Sequence, residues 1–183
     1  MDDGGRAVLL LLATALVAGS AGWVRRVAWV AWGAAGLAVA GLVLAAALAA
    51  ASERVHVDER APVTLLVVLA GALAVIGGGP VTSRVFVLVD GRDRGRHAGS
   101  MRRAGEVLRG GAWIGALERA GIFASLVGGW PEGLAIVLGL KGLGRYPELR
   151  SGERTGAAER FIIGTFTSVL WAAACAGVVR LLV

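Results

Sequence analysis

Residues 27–52 read VAWVAWGAAGLAVAGLVLAAALAAAS, from Val27 to Ser52, without a single ionisable side chain. A helix rises about 1.5 Å per residue, so this run is long enough to cross a hydrocarbon core of about 30 Å. A soluble domain hiding such a run would need a broad polar shell, yet only 17% of the 183 residues are charged and 56% are hydrophobic. Outward from it lie five further apolar segments, at roughly 7–24, 62–80 with an extension open to 89, 111–129, 131–146 and 160–180. Lipid offers no partner to an exposed amide, and these Ala, Leu, Val and Gly runs lack the alternation of barrel strands, so all six are expected to be helices. Pro62 and Pro131 fall in first turns, where a missing N–H does no harm. The expected fold is all-α, a polytopic transmembrane helical bundle of about six spans; whether the fifth segment crosses fully or re-enters stays open.

Charge sets the expected orientation. The chain carries +6 at neutral pH from 18 Arg and one Lys, Lys141, against 13 acidic residues. Arg25 and Arg26, the seven arginines from Arg84 to Arg109, and Lys141, Arg145, Arg150, Arg154 and Arg160 all fall on one side if every segment spans. By the positive-inside rule that side is cytoplasmic, which places both termini outside an inner (plasma) membrane and the basic loops within. Trp23 and Trp29 flank the Arg25–Arg26 turn as an aromatic belt would. Asp2 and Asp3 outweigh Arg6 before the first segment, the reverse of a signal peptide, so a retained first helix is expected.

Three regions follow: 1–89, an apolar scaffold of three helices; 90–109, a basic cytoplasmic loop; and 110–183, a three-helix region with a polar cluster. The loop places Met101, Ala104, Val107 and Leu108 opposite Arg102, Arg103, Glu106 and Arg109. That pattern fits an interfacial helix on anionic lipid, or an ordinary solvated loop. Membrane lipids, anionic ones first, are the expected partners, with a homo- or hetero-oligomer open. Nucleic acid is not, because no basic domain interleaved with aromatics exists to bind it. Cys175 is alone, so neither an intrachain disulfide nor a cysteine metal cluster can form. His56, Asp58 and Glu59 share a short outer loop that makes a poor metal cage, and no Ser-His-Asp or HExxH arrangement is present. No cofactor or metal is expected.

The informative positions are the charges inside the later segments. Glu118 and Arg119 lie near the middle of GGAWIGALERAGIFASLVGG, where each ionised group costs at least about 2.5 kcal/mol. Glu118 sits about 12 Å in from Gly110, and Lys141 lies about 16 Å of helix from Trp130 on the next, antiparallel segment. The two are therefore expected at similar depth as an ion pair, each offsetting the cost of burying the other. Thr165 and Ser168 share a face of the last segment, five and eight residues beyond Arg160. They either complete the cluster, bond back to their own helix or serve in packing. Gly111 and Gly115 form a GxxxG step beside Glu118.

The runs GAWIGALER, KGLGRYPELR and ERFIIGT with Ser168 resemble the C-terminal half of a group of uncharacterised bacterial multi-pass membrane proteins. Those proteins carry G-x-x-IG-x-LER, K-x-x-x-R-x-x-EL and E-aromatic-x-IGT-x-x-S segments. The resemblance covers about 75 residues and implies that Glu118, Arg119, Lys141, Arg145, Glu148, Glu159, Gly164, Thr165 and Ser168 share a site. Gly142 stands where the family is expected to have serine, which puts a catalytic hydroxyl there in doubt.

The expectation is an integral membrane protein with an intramembrane charged pocket open to the cytoplasm, formed by Glu118, Arg119, Lys141, Arg145, Thr165 and Ser168. Glu118 would respond to a proton or cation, and Arg145 and Arg160 would meet anions or lipid phosphate at the mouth. Alternatives are a small transporter or channel subunit for an ion or anionic solute, a lipid-phosphate-acting enzyme, and an assembly partner pairing Glu118 and Arg119 across a subunit interface. Enzymatic activity is left undecided, since the acid–base set is incomplete.

Overall fold

The structure, a computed structural model, describes residues 3–23, 28–51, 60–92, 111–150 and 157–183. Every element among them is helical. α1 (Asp3–Ala21) and α2 (Ala28–Ala51) form a hairpin, and α3 (Arg60–Ala72) runs through a five-residue π-helical turn (Leu73–Gly77) into α4 (Gly78–Arg92). α5 (Gly111–Val127), α6 (Glu132–Arg150) and α7 (Ala157–Leu182) complete the bundle. Among the described residues four stretches are long and apolar enough to cross a membrane: Asp3–Ala21, Trp29–Ala51, Arg60–Val89 and Ala158–Leu182. α5 is only 17 residues long, and α6 carries Lys141 and Arg145 in its second half.

Small side chains line much of the inner seams, and many large apolar ones face outward. α1 buries Gly5, Val8, Leu12, Ala15 and Gly19, a spacing that alternates three and four and so keeps one seam on its neighbours. α2 answers with Ala31, Ala38, Leu42, Ala45 and Ala49. A Cβ built on Gly41 would meet the Ala15 Cβ at 3.0 Å, so the two backbones are already at contact distance. Such close approach through small residues is how helices gain van der Waals contact where lipid removes the hydrophobic drive between them. Leu10, Val17 and Leu37 are each about two-thirds exposed, an outer surface that suits hydrocarbon and not water.

α7 is the central element. It packs against α2, α3, α4 and α5 and buries Trp171, Ala172, Cys175, Val178 and Val179. α6 lies at the bundle's edge, leaning on α5. The turn between these two is a Schellman motif: Trp130 N donates to Ser125 O at 2.8 Å and Gly129 N to Leu126 O at 3.3 Å, with Gly129 at φ +72°. That left-handed conformation is open to glycine and strained for other residues. The arginine-rich turn at Arg25–Arg26, the interfacial-helix pattern at 101–109 and the outer-loop His56, Asp58 and Glu59 all lie outside the described residues.

Gly41→Leu is expected to lower stability by about 1–3 kcal/mol through overpacking of the α1–α2 seam. Thermal unfolding in detergent checks this; an unchanged midpoint would show that the seam is not closed there.

Candidate functional site

The site begins with a proline. In an α-helical register the N–H of residue 80 would serve Ile76 O, and in a π register it would serve Val75 O; Pro80 has no N–H for either. Both carbonyls are taken by side chains from elsewhere in the chain. Trp23 Nε1 donates to Ile76 O at 3.0 Å. Arg119 donates to Val75 O from Nε at 3.2 Å and from Nη2 at 2.8 Å. Trp171 Nε1 adds a bond to Leu73 O at 3.1 Å. In a bilayer the water that would otherwise satisfy such groups is missing, so Trp23 and Arg119 serve the two carbonyls that Pro80 leaves, and the helix continues past it to Arg92.

Glycines make the approach feasible. A Cβ on Gly78 would stand 2.4 Å from Arg119 Cδ and 2.9 Å from Trp171 Cδ1, and one on Gly79 would meet the Trp23 ring at 2.8 Å. The backbone of 77–79 is thus clamped between two indoles and a guanidinium.

Glu118 and Arg119, adjacent on α5, face different ways because successive helical residues diverge by about 100°. Arg119 turns toward the π turn and α7, is only 4% exposed, and donates from Nη1 to Ser168 Oγ at 3.4 Å. Glu118 turns toward α6, where its Oε2 accepts a hydrogen bond from Lys141 Nζ in an ion pair. The α5–α6 register explains this meeting. A Cβ on Gly133 would meet Ser125 Oγ at 2.3 Å, and one on Gly121 would meet Val137 Cγ2 at 3.0 Å. From Gly133–Ser125 through Val137–Gly121, the next antiparallel step is Lys141–Glu118. Lys141 Nζ also lies 5.9 Å from the centre of the Phe161 ring, a cation–π distance that ties α6 to α7.

The remaining predicted positions divide. Arg160 stacks over Phe86 at 5.0 Å, and the same ring fills the gap above Gly164, where a Cβ would meet Phe86 Cζ at 2.7 Å. Arg145 is half-buried on α6 and Glu159 is exposed at the start of α7. Glu148 lies on α6, and its side chain is outside the described residues. Seven helical hydroxyls, Thr14, Ser20, Thr64, Thr82, Ser83, Ser125 and Thr167, donate to the carbonyl four residues earlier. Ser168 and Thr165 do not: Ser168 accepts from Arg119, and Thr165 Oγ1 is buried with no hydrogen-bond partner among the described residues. Ser168 therefore joins Arg119, while Glu118 and Lys141 satisfy each other.

The sequence places Trp23 in an aromatic belt and gives no role to Val75, Pro80 or Trp171, yet these residues build the wall behind Arg119. The readable signal is Gly77-Gly78-Gly79-Pro80 inside an apolar run, a break in a helix that lipid does not allow to end there. Among the described residues no three His, Cys, Asp or Glu side chains come together as metal ligands. Comparison with protein-family models, curated proteins and solved structures yields no match to this chain.

Gly78→Ala is expected to cost about 1–3 kcal/mol, since its Cβ collides with both Arg119 and Trp171. Gly36→Ala, where nothing lies within 4 Å, is expected to be neutral or slightly stabilising. Trp171→Phe removes the indole hydrogen bond to Leu73 O and is expected to cost about 1 kcal/mol. Melting curves of the three variants in one detergent separate these effects; equal shifts for Gly78→Ala and Gly36→Ala would refute the clamp.

Proposed function

We propose that the chain is a six-span protein of an inner membrane, with both termini outside, whose last three helices hold a polar site opening toward the cytoplasm. Glu118 is the proton- or cation-responsive group, Lys141 its partner, and Arg145 and Arg160 meet anions or lipid phosphate at the mouth. The observation that carries this reading is the Glu118–Lys141 pair, set within the helices and only 10% and 17% exposed at the side chains. Ionisable groups held at such depth mark functional sites by default, and their partners are named by geometry. The resemblance of the Glu118, Lys141 and Glu159 segments to one bacterial membrane family supports treating them as one unit. Glu118 and Arg119 both find partners within the chain, which removes the motive for pairing them across a subunit interface.

The test is a pH titration of the reconstituted protein by difference infrared spectroscopy, following the protonated carboxyl band. Glu118→Gln is expected to remove the contribution of one carboxyl to that band. Glu118→Gln and Lys141→Met are each expected to destabilise by about 3 kcal/mol, with much of that recovered in the double variant, since breaking a buried pair costs more than replacing both partners. Titrations identical in wild type and Glu118→Gln would refute the assigned role.

A further inference from the structure

We propose that Arg119, Ser168 and Thr165 form a binding site for a small monovalent anion of halide size, distinct from the Glu118–Lys141 pair. Three observations converge on it. A guanidinium carries five N–H donors, and Arg119 uses three, two on Val75 O and one on Ser168 Oγ, leaving one on each terminal nitrogen. Thr165, one turn from Ser168 on the same face of α7, has a buried hydroxyl that is unpartnered while seven others bond back to their own helices. Beside Arg119 Nη1 there is room: a Cβ built on Gly115 would meet that nitrogen at 3.2 Å and no other heavy atom within 4 Å outside its own helix turn.

Charge selects an anion over a water molecule. Glu118 contributes one negative charge, and Lys141 and Arg119 two positive charges, so this interior group is one positive charge in excess. Glu118 is engaged by Lys141, and no carboxylate among the described residues lies within ion-pair distance of Arg119. Carbonyl and hydroxyl dipoles satisfy the guanidinium's geometry without cancelling its charge, whereas a monovalent anion does both and takes hydrogen bonds from Arg119 and the two hydroxyls.

The experiment uses the full chain in phosphatidylcholine nanodiscs, with sodium bromide exchanged for sodium gluconate at constant ionic strength and pH. A saturable rise in melting temperature with bromide, absent in gluconate, is expected. Thr165→Val and Gly115→Ala are expected to weaken the apparent bromide affinity at least about tenfold while the protein still folds, and Thr165→Ser to keep it. A response equal in both salts, or one that survives both Thr165→Val and Gly115→Ala, would overturn the site. This readout is independent of the carboxyl titration of Glu118, so either reading can fail alone.

Discussion

Carbonyl groups at Val75 and Ile76 are the constraint around which the bundle is arranged. A proline inside a membrane helix creates acceptors with no donor of their own, and the surroundings supply no water. The chain meets this with an indole from the turn after α1 and a guanidinium from α5, while an indole from α7 adds a bond to Leu73 O just before them. The glycines at 77–79 follow as a necessity, since any larger residue would hold those donors away. The π turn thus ties together helices from both ends of the chain. It also fixes Arg119, whose charge then decides what else the interior must contain.

α5 distributes two kinds of chemistry from neighbouring residues. Glu118 closes on α6 along a glycine-lined seam, and Arg119 closes on the scaffold and α7. The sequence division into an inert first half and a chemical second half is therefore incomplete, because the strongest acceptor for Arg119 belongs to the third apolar segment. α7 lies between the two groups, bringing Phe161 near Lys141 and Ser168 to Arg119 from one continuous helix.

What was legible in the sequence follows from periods and lengths. Uncharged runs near 20 residues mark helices in lipid, and helical rise alone places Glu118 and Lys141 at one depth. Residue types do not reveal which way adjacent side chains turn, so Ser168 reads equally well as a partner of either charge. Nor do they show that Pro80 lies inside a helix: a break at residue 80 and a continuation to 89 are both compatible with the run, and the choice rests on Trp23 and Arg119, which are remote in sequence. Trp23 itself reads as a belt residue, and that reading hides the hydrogen bond its indole makes.

The separation of these donors along the chain bears on how the molecule is made. α1 and α2 can close on each other as soon as they leave the ribosome, since their seam is local. The third hydrophobic stretch cannot: the acceptor at Val75 waits 44 residues for its guanidinium, and that at Leu73 waits 98 for its indole. Until α5 and α7 have been made, this segment's acceptors lie beside neighbours other than their final ones.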